Sequence, residues 1–227
     1  MGLLFDIDGT LAATDHLHHQ ALNEVIAPFG RRVDEVFYKA RVMGRTNAAI
    51  FAELLPAKTE PEQTAIAEAK EAAFRARACA GIEPTPGLLE LLAWADAHAV
   101  PYACVTNAPR ANAELILTGI GVRQRFAHVV IADEIAHGKP HPLPYLTGAA
   151  WINVAPHRCV AFEDSAAGVQ SAARADAATV GMLSGLDAPA LLEAGAVLAV
   201  ADFRDARLMN LFTRTCGLTP ARNDVDR

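Results

Sequence analysis

The chain has 227 residues, 52% of them hydrophobic, and a formal net charge of −6. That length fits one generous α/β domain, or a core carrying a smaller insert, with ample apolar material to bury. The mild acidity, with no basic run or basic–aromatic stripe, excludes a nucleic-acid footprint, and no apolar run approaches the roughly 20 residues that span a bilayer.

In chain order, Leu3 to Phe5 read as a buried parallel strand, a short continuous apolar run. It ends in Asp6-Ile7-Asp8-Gly9-Thr10. Residues i and i+2 of a strand point to the same side, so Asp6 and Asp8 aim at one small target if the chain stays extended. Gly9 permits the sharp turn that follows. The open end of such a strand in an α/β sheet is where ligands and cations sit. The plainer alternative is a solvated Asp turn leading to a helix cap.

From about Asp15 to Gly81 the chain is Ala-rich and helical in pattern. Asp15 is expected to cap a helix running to Ile26, which Pro28 and Gly30 end. A short helix covers Asp34 to Arg41 and stops near Gly44. Thr46 starts another through Leu55, closed by Pro56. Thr59-Glu60-Pro61-Glu62 opens a long one that runs to about Ala80, with Pro in its first turn and acids at its positive end.

After Pro84, Pro86 and Gly87 the pattern alternates. Helices are expected over 88–97, 110–118, 145–151 and 165–174, and strands over 101–106, 128–131, 159–162 and 178–182, with a weak last strand over 196–200. This is βαβ arithmetic and implies a parallel sheet with helices on both faces. Residues 1–14 and 84–227 therefore form an α/β core, and residues 15–83 an all-helical insert that leaves from the ligand-binding edge and can cover it. Residues from about Pro220 onward are polar and expected to be loose.

The four cysteines, Cys79, Cys104, Cys159 and Cys216, form no CxxC. Cys104 and Cys159 lie in strand-like runs as small hydrophobes, which points to a reducing compartment. The start carries no signal-peptide pattern. Met1-Gly2 begins like a myristoylation signal, but Asp6 stands where Ser or Thr is required. The expectation is a soluble cytoplasmic protein, monomer or homodimer, with neither nucleic acid nor membrane as partner.

Three further motifs fall at strand ends or between strands. Thr106-Asn107-Ala108-Pro109 ends one strand with a hydroxyl and an amide, and Pro109 opens a helix whose free N–H groups favour an anion. His137-Gly138-Lys139-Pro140-His141-Pro142 holds Lys139 in a stiff loop. Glu163-Asp164-Ser165, with Gly168, ends a strand in two acids before a helix. Alone, each has an ordinary reading: a helix cap, a surface lysine, a complement to the helix dipole. Together they bring Asp6, Asp8, Thr106, Glu163 and Asp164 to one sheet edge with Lys139 nearby. Clustered acids need a cation, and oxygen-only ligands select a hard one such as Mg²⁺. A carboxylate can attack phosphorus, a second can move the proton, and a cation can stabilise the phosphoryl oxygens.

These four motifs, in order and in register over residues 1 to about 200, resemble the haloacid dehalogenase superfamily in its helical-cap branch of phosphatases and beta-phosphoglucomutases. The resemblance implies a Rossmann-like parallel sheet core with a small inserted helical cap domain. It implies Asp6 as nucleophile and Asp8 as the acid that protonates the leaving alkoxide and then activates water. It implies Thr106, Asn107 and Lys139 around the phosphate. Mg²⁺ is expected on the Asp6 carboxylate, the Asp8 backbone carbonyl and Asp164, with Glu163 either a ligand or a support for the ligands. Asp8 favours phosphate esters over the dehalogenase and phosphonatase branches, which lack an acid there. Many relatives carry an Asp where this chain has Leu143, a departure in supporting detail.

His18 matches a histidine common in this branch, and substrate contact and a solvated helix face are both open for it. With His16 and His19 it lacks the spacing and the further ligands of a zinc site. Arg45 lies where relatives read the leaving group and could pair with an anionic substrate group, or lie on the surface. Asn47 stands where beta-phosphoglucomutase carries an Arg, which weakens a mutase reading. The expected activity is a Mg²⁺-dependent phosphatase on a small phosphorylated metabolite, a sugar phosphate or a phosphoglycolate-like ester. A beta-phosphoglucomutase-type mutase is the alternative. A non-catalytic phosphometabolite-binding module is a remote one, since a binding site needs no nucleophile with a proton shuttle.

Overall fold

The computed structural model describes residues 1–216. The tail expected to be loose from about Pro220 lies outside the described residues. Six parallel strands form one sheet: β1 (Gly2–Phe5), β2 (Tyr102–Thr106), β3 (Val129–Ile131), β4 (Cys159–Glu163), β5 (Ala178–Met182) and β6 (Leu198–Val200). Their order is β3-β2-β1-β4-β5-β6. The first strand thus sits centrally, in register with β2 through Phe5 opposite Cys104 and with β4 through Phe5 opposite Phe162. Connections depart to either side of β1, which opens a crevice at its C-terminal end.

The pleat sorts the strand residues between two apolar layers. Leu3, Phe5, Cys104, Val160, Phe162 and Val180 pack on one face. Leu4, Ala103, Val105, Ala161 and Tyr145 pack on the other. A strand buried on both faces reads as a continuous apolar run, which is why these segments carry no alternation.

Four helices follow β1 ahead of the helix that leads into β2: α1 (Asp15–Ile26), α2 (Glu35–Arg41), α3 (Asn47–Leu54) and α4 (Glu60–Ala78). They share a buried cluster of their own that includes Leu22, Ile26, Tyr38, Ile50 and Phe51. Ala21 and Phe74, on the helices α1 and α4, instead join the apolar layer beneath the sheet. A capping box starts α4, with Thr59 N donating to Glu62 Oε2 at 2.8 Å. The remaining helices are α5 (Leu88–Ala97), α6 (Arg110–Gly119), α7 (Leu143–Trp151), α8 (Ala166–Arg174), α9 (Ala188–Ala194) and α10 (Arg207–Cys216).

Three details differ from the sequence expectation. Thr14, not Asp15, precedes α1, and Asp15 is its first helical residue. The sequence pattern predicts neither α9 nor α10. The signals for α9 were present: Asp187 accepts from Ala190 N at 3.0 Å, Pro189 sits in the first turn and Gly195 ends the helix at φ +118°. The α10 helix is held by tertiary packing, with Phe212 buried and stacked on Trp94 at 5.2 Å. The last strand is also shorter than expected, Leu198–Val200. Among the described residues no helix is long and apolar enough to cross a membrane.

Phe5 is fully buried, stacks on Phe162 with centroids 5.0 Å apart, and meets Phe126 and Phe203 edge-on. Phe5→Ala is expected to lower stability by about 3–5 kcal/mol, read as a lower denaturant midpoint at unchanged slope.

Candidate active site

The site is built where β1, β2 and β4 end. Asp6 follows β1 directly, and its backbone N–H donates to Phe162 O at 3.0 Å, so the sheet ladder aims its side chain into the crevice. Lys139 Nζ donates to Asp6 Oδ1 at 2.5 Å and to Val105 O at 2.8 Å, and lies 2.5 Å from Glu163 Oε1. An ammonium has three hydrogens, and this geometry engages all three. Glu163 is fully buried, accepts from Tyr145 Oη at 2.6 Å, and has Ser165 Oγ at 3.3 Å from its other oxygen.

Burial pushes the Asp6 carboxyl well above the usual range; Lys139 opposes that shift, and Glu163 and Asp8 add to it. Burial works against the Lys139 charge, yet Asp6 and Glu163 outweigh it and hold the ammonium above its ordinary pKa. The Lys139 loop is anchored on several sides. Its own N–H donates to Asn107 Oδ1 at 3.0 Å, Arg174 Nη1 to Pro140 O at 3.0 Å, and Ser171 Oγ to His141 O at 2.5 Å. Where many relatives of the resembled family carry an Asp, Leu143 begins α7, and its N–H is taken by His141 Nδ1 at 3.1 Å.

Asp8 is the second acid. Thr14 Oγ1 donates to its Oδ1 at 2.6 Å, and His18 Nε2 lies 2.9 Å from the same atom. This accounts for Thr14 not capping its own helix: its hydroxyl is spent on Asp8. Burial would raise the Asp8 pKa, but His18 and Thr14 hold it below the usual carboxylate value. His18 is itself buried, and its ring stacks on Phe74 with centroids 3.7 Å apart. It is thus not on a solvated face, and its Nε2 bears on Asp8. His16 is exposed and His19 meets Val33 O at 2.7 Å, so the three histidines share no centre.

Oxygen atoms of Asp6, Glu163 and Asp164 lie within 4.8 Å of one another, all three residues buried. Burial pushes the Asp164 carboxyl well up, and Asp15, Asp6 and Glu163 push it further against the pull of Lys139. Three crowded carboxylates facing one ammonium need further positive charge, and an all-oxygen donor set fits Mg²⁺. Gly9 belongs to this packing. Its φ is +72°, and a Cβ there would collide with the carboxylates of Asp164 and Asp15.

A cavity of about 80 Å³ joins these groups, lined among others by Asp6, Asp8, His18, Thr106, Lys139 and Asp164. Thr106 is buried and accepts from Ala108 N at 2.9 Å. Asn107 lines the cavity but spends its amide on structure, donating to Gly44 O at 2.9 Å and Lys139 O at 3.3 Å. It thereby ties the helical segment to the core. Gly44, at φ +71°, sits so close that a Cβ would strike the Ser165 side chain. Arg45 also lines the cavity, but its guanidinium is engaged by Glu53 Oε2 at 2.6 Å, Arg41 O at 2.6 Å and Ala49 O at 3.2 Å.

Sequence reasoning missed Asp15, Lys70 and Glu71 as lining residues. Asp15 bonds to Asp164 and Tyr38, and its carboxyl is raised by burial and by Asp8. Lys70 and Glu71 are buried and paired at 2.7 Å. Glu71 also accepts from Asn47 Nδ2 at 2.7 Å, and from Asn112 Nδ2 on α6 at 2.5 Å. The only signal for them was a pair of opposite charges close to Phe74 on the inward side of an Ala-rich helix.

Residues 1–176 match the family model described as haloacid dehalogenase-like hydrolase. The chain belongs to that family. It is 35% identical over 187 residues to the fructose-1-phosphate phosphatase YqaB of Escherichia coli, covering 80% of this chain and 97% of that one. It is 32% identical over 205 residues to the phosphorylated carbohydrates phosphatase of Thermotoga maritima, covering 87% and 93%. In three dimensions it is similar to beta-phosphoglucomutase from Clostridium difficile, with a TM-score of 0.84 at 21% identity over 95% or more of both chains (96% and 99%). At that identity the likeness shows a shared fold.

Removing the Lys139 ammonium leaves Asp6 and Glu163 buried together without their cation. Lys139→Met is expected to cost about 3–5 kcal/mol of stability in chelator-treated buffer, measured by denaturant unfolding.

Proposed function

We propose that this protein hydrolyses the phosphate monoester of a small phosphorylated carbohydrate, with Mg²⁺, through an aspartyl phosphate on Asp6. The observation that carries the proposal is the pair of acids at the end of β1 in different settings. Asp6 lies against Lys139, and Asp8, two residues on, is held by Thr14 and His18. Different settings give two carboxylates different roles.

The Asp6 carboxylate attacks phosphorus, the P–O bond to the leaving group breaks, and a P–O bond to Asp6 forms. Lys139 keeps the attacking oxygen in place and, with the hydroxyl of Thr106, faces the phosphoryl oxygens. Asp8, ionised in the free protein, takes up a proton from solvent when the charge of the bound phosphate raises its pKa, and passes that proton to the leaving alkoxide. Water then gives a proton back to Asp8 and attacks the phosphoenzyme, which releases inorganic phosphate and restores Asp6. Asp6 and Asp164, with Glu163 beside them, would hold Mg²⁺, which supplies positive charge against the phosphoryl oxygens and lets Asp6 stay ionised. Residues 15–83 serve as a cap domain over the core of 1–14 and 84–227, excluding bulk water from the cleft.

The names of the two curated relatives support a carbohydrate phosphate as substrate. A mutase must also grip the phosphate that is not transferred. Arg45, the residue offered by the sequence for an anionic group, is tied to Glu53 instead, which favours the hydrolase.

Asp6→Asn is expected to lower turnover of p-nitrophenyl phosphate at least about a thousandfold, and chelation of Mg²⁺ to abolish it until the metal is returned. Turnover at the normal rate by the variant or by the chelated protein would overturn the mechanism.

A further inference from the structure

Tyr145 is fully buried on α7, in the apolar layer that holds Leu4, Ala103 and Val105. A phenol hydroxyl in such a layer needs a partner. The partner is Glu163, whose Oε1 accepts from Tyr145 Oη at 2.6 Å. Lys139 Nζ lies 2.5 Å from the same oxygen and 5.3 Å from the centre of the Tyr145 ring. A carboxylate oxygen has two lone pairs, so these two donors fill Oε1. The other oxygen faces Ser165 Oγ at 3.3 Å. The carboxylate also presses on Gly168, where an added Cβ would lie within 2.1 Å of its carbon and both oxygens. Glu163 therefore has one seat, and Tyr145 fixes the oxygen that faces Lys139. Burial and the charges of Glu163 and Asp6 push the Tyr145 phenol well above its ordinary pKa, so the hydroxyl stays a donor.

We infer that Tyr145 is a positioning residue for phosphoryl transfer: through Glu163, its hydroxyl holds the Lys139 ammonium against Asp6. The inference rests on the phosphatase reading above and adds a residue to its machinery. Lys139 divides its charge between two carboxylates, Asp6 Oδ1 at 2.5 Å and Glu163 Oε1 at 2.5 Å. Its place between them is set by how strongly each draws on it. The Tyr145 hydroxyl meets part of the demand of Glu163 with a charge-assisted hydrogen bond. Without that hydroxyl, Oε1 keeps Lys139 as its one donor, the pull toward Glu163 grows, and the ammonium moves off Asp6. The attack of Asp6 on phosphorus then slows, because small misplacements of aligned groups cost rate. Loss of one phenol oxygen leaves the packing of the Tyr145 ring in place.

The test compares Tyr145→Phe, Glu163→Gln and the double variant, each as the full chain, on p-nitrophenyl phosphate at saturating Mg²⁺. Tyr145→Phe is expected to lower kcat about tenfold, the worth of one hydrogen bond to a charged group, with KM changed less than about twofold. Mg²⁺ binding, measured by calorimetry without substrate, is expected to match the wild type, because the hydroxyl donates to Glu163 and not to Asp6 or Asp164. In the Glu163→Gln background the same substitution is expected to change kcat less than about twofold, since a residue acting through Glu163 has nothing left to act on. The cycle is read a second time as denaturant midpoints, where the two losses are likewise expected not to add, so it decides even for a poorly active Glu163→Gln. Wild-type kcat in Tyr145→Phe, losses that multiply in the double variant, or a fall in Mg²⁺ affinity that parallels the fall in kcat overturns the inference. No turnover of the aryl ester by the wild-type protein overturns the phosphatase reading itself.

Discussion

One ammonium organises the site. Lys139 Nζ lies between Asp6 and Glu163 with its third hydrogen on Val105 O, and both carboxylates are buried. Removing charges from water is costly, and the cost is offset only where geometry is tight and the remaining polar atoms are satisfied. The surroundings supply that geometry. Tyr145 and Ser165 take up the oxygens of Glu163, Asn107 fixes the backbone of Lys139, and Ser171 and Arg174 hold the loop that follows. The ends of β1, β2 and β4 and the start of α8 are thereby locked to one point. The same cluster remains short of positive charge, since Asp164 and Asp15 crowd against it. A stable scaffold with a residual demand for a cation and an anion is what phosphoryl transfer needs.

The helical segment is held to this core by polar contacts at the cleft. Asn107 reaches Gly44 O, and Asn112 on α6 meets Glu71 on α4 inside a buried network with Asn47 and Lys70. Buried polar groups of this kind stay in place only when partnered, so they specify one seating of the segment rather than a range. The seating delivers His18 to Asp8.

Much of the site was legible before the fold was known. Asp6, Asp8, Lys139, Glu163 and Asp164 stand out because charged residues at the ends of buried strands contradict their local context unless something pairs them. Thr106 was legible by its place at a strand end. Asp15 was read as a helix cap because acids at helix starts are common; its carboxylate instead faces Asp164, a neighbour 149 positions away in the chain. The resemblance puts Asn107 beside the phosphate, and the fold adds that its amide N–H groups bond to Gly44 O and Lys139 O. Lys70, Glu71 and Asn112 gave no usable signal, because Lys and Glu on a helix are ordinarily solvated.

The sequence by itself determined the parallel sheet, the position of the helical segment in the chain, and which acids come together at the sheet edge. These follow from short-range regularities: apolar runs, turn residues, and acids placed where burial forbids them without partners. Only the tertiary structure decided how those acids differ. Asp6 meets an ammonium, and Asp8 meets a hydroxyl and an imidazole. It alone showed that Arg45 is already matched. Charge pairing depends on distances across the fold, and residues far apart in the chain set those distances.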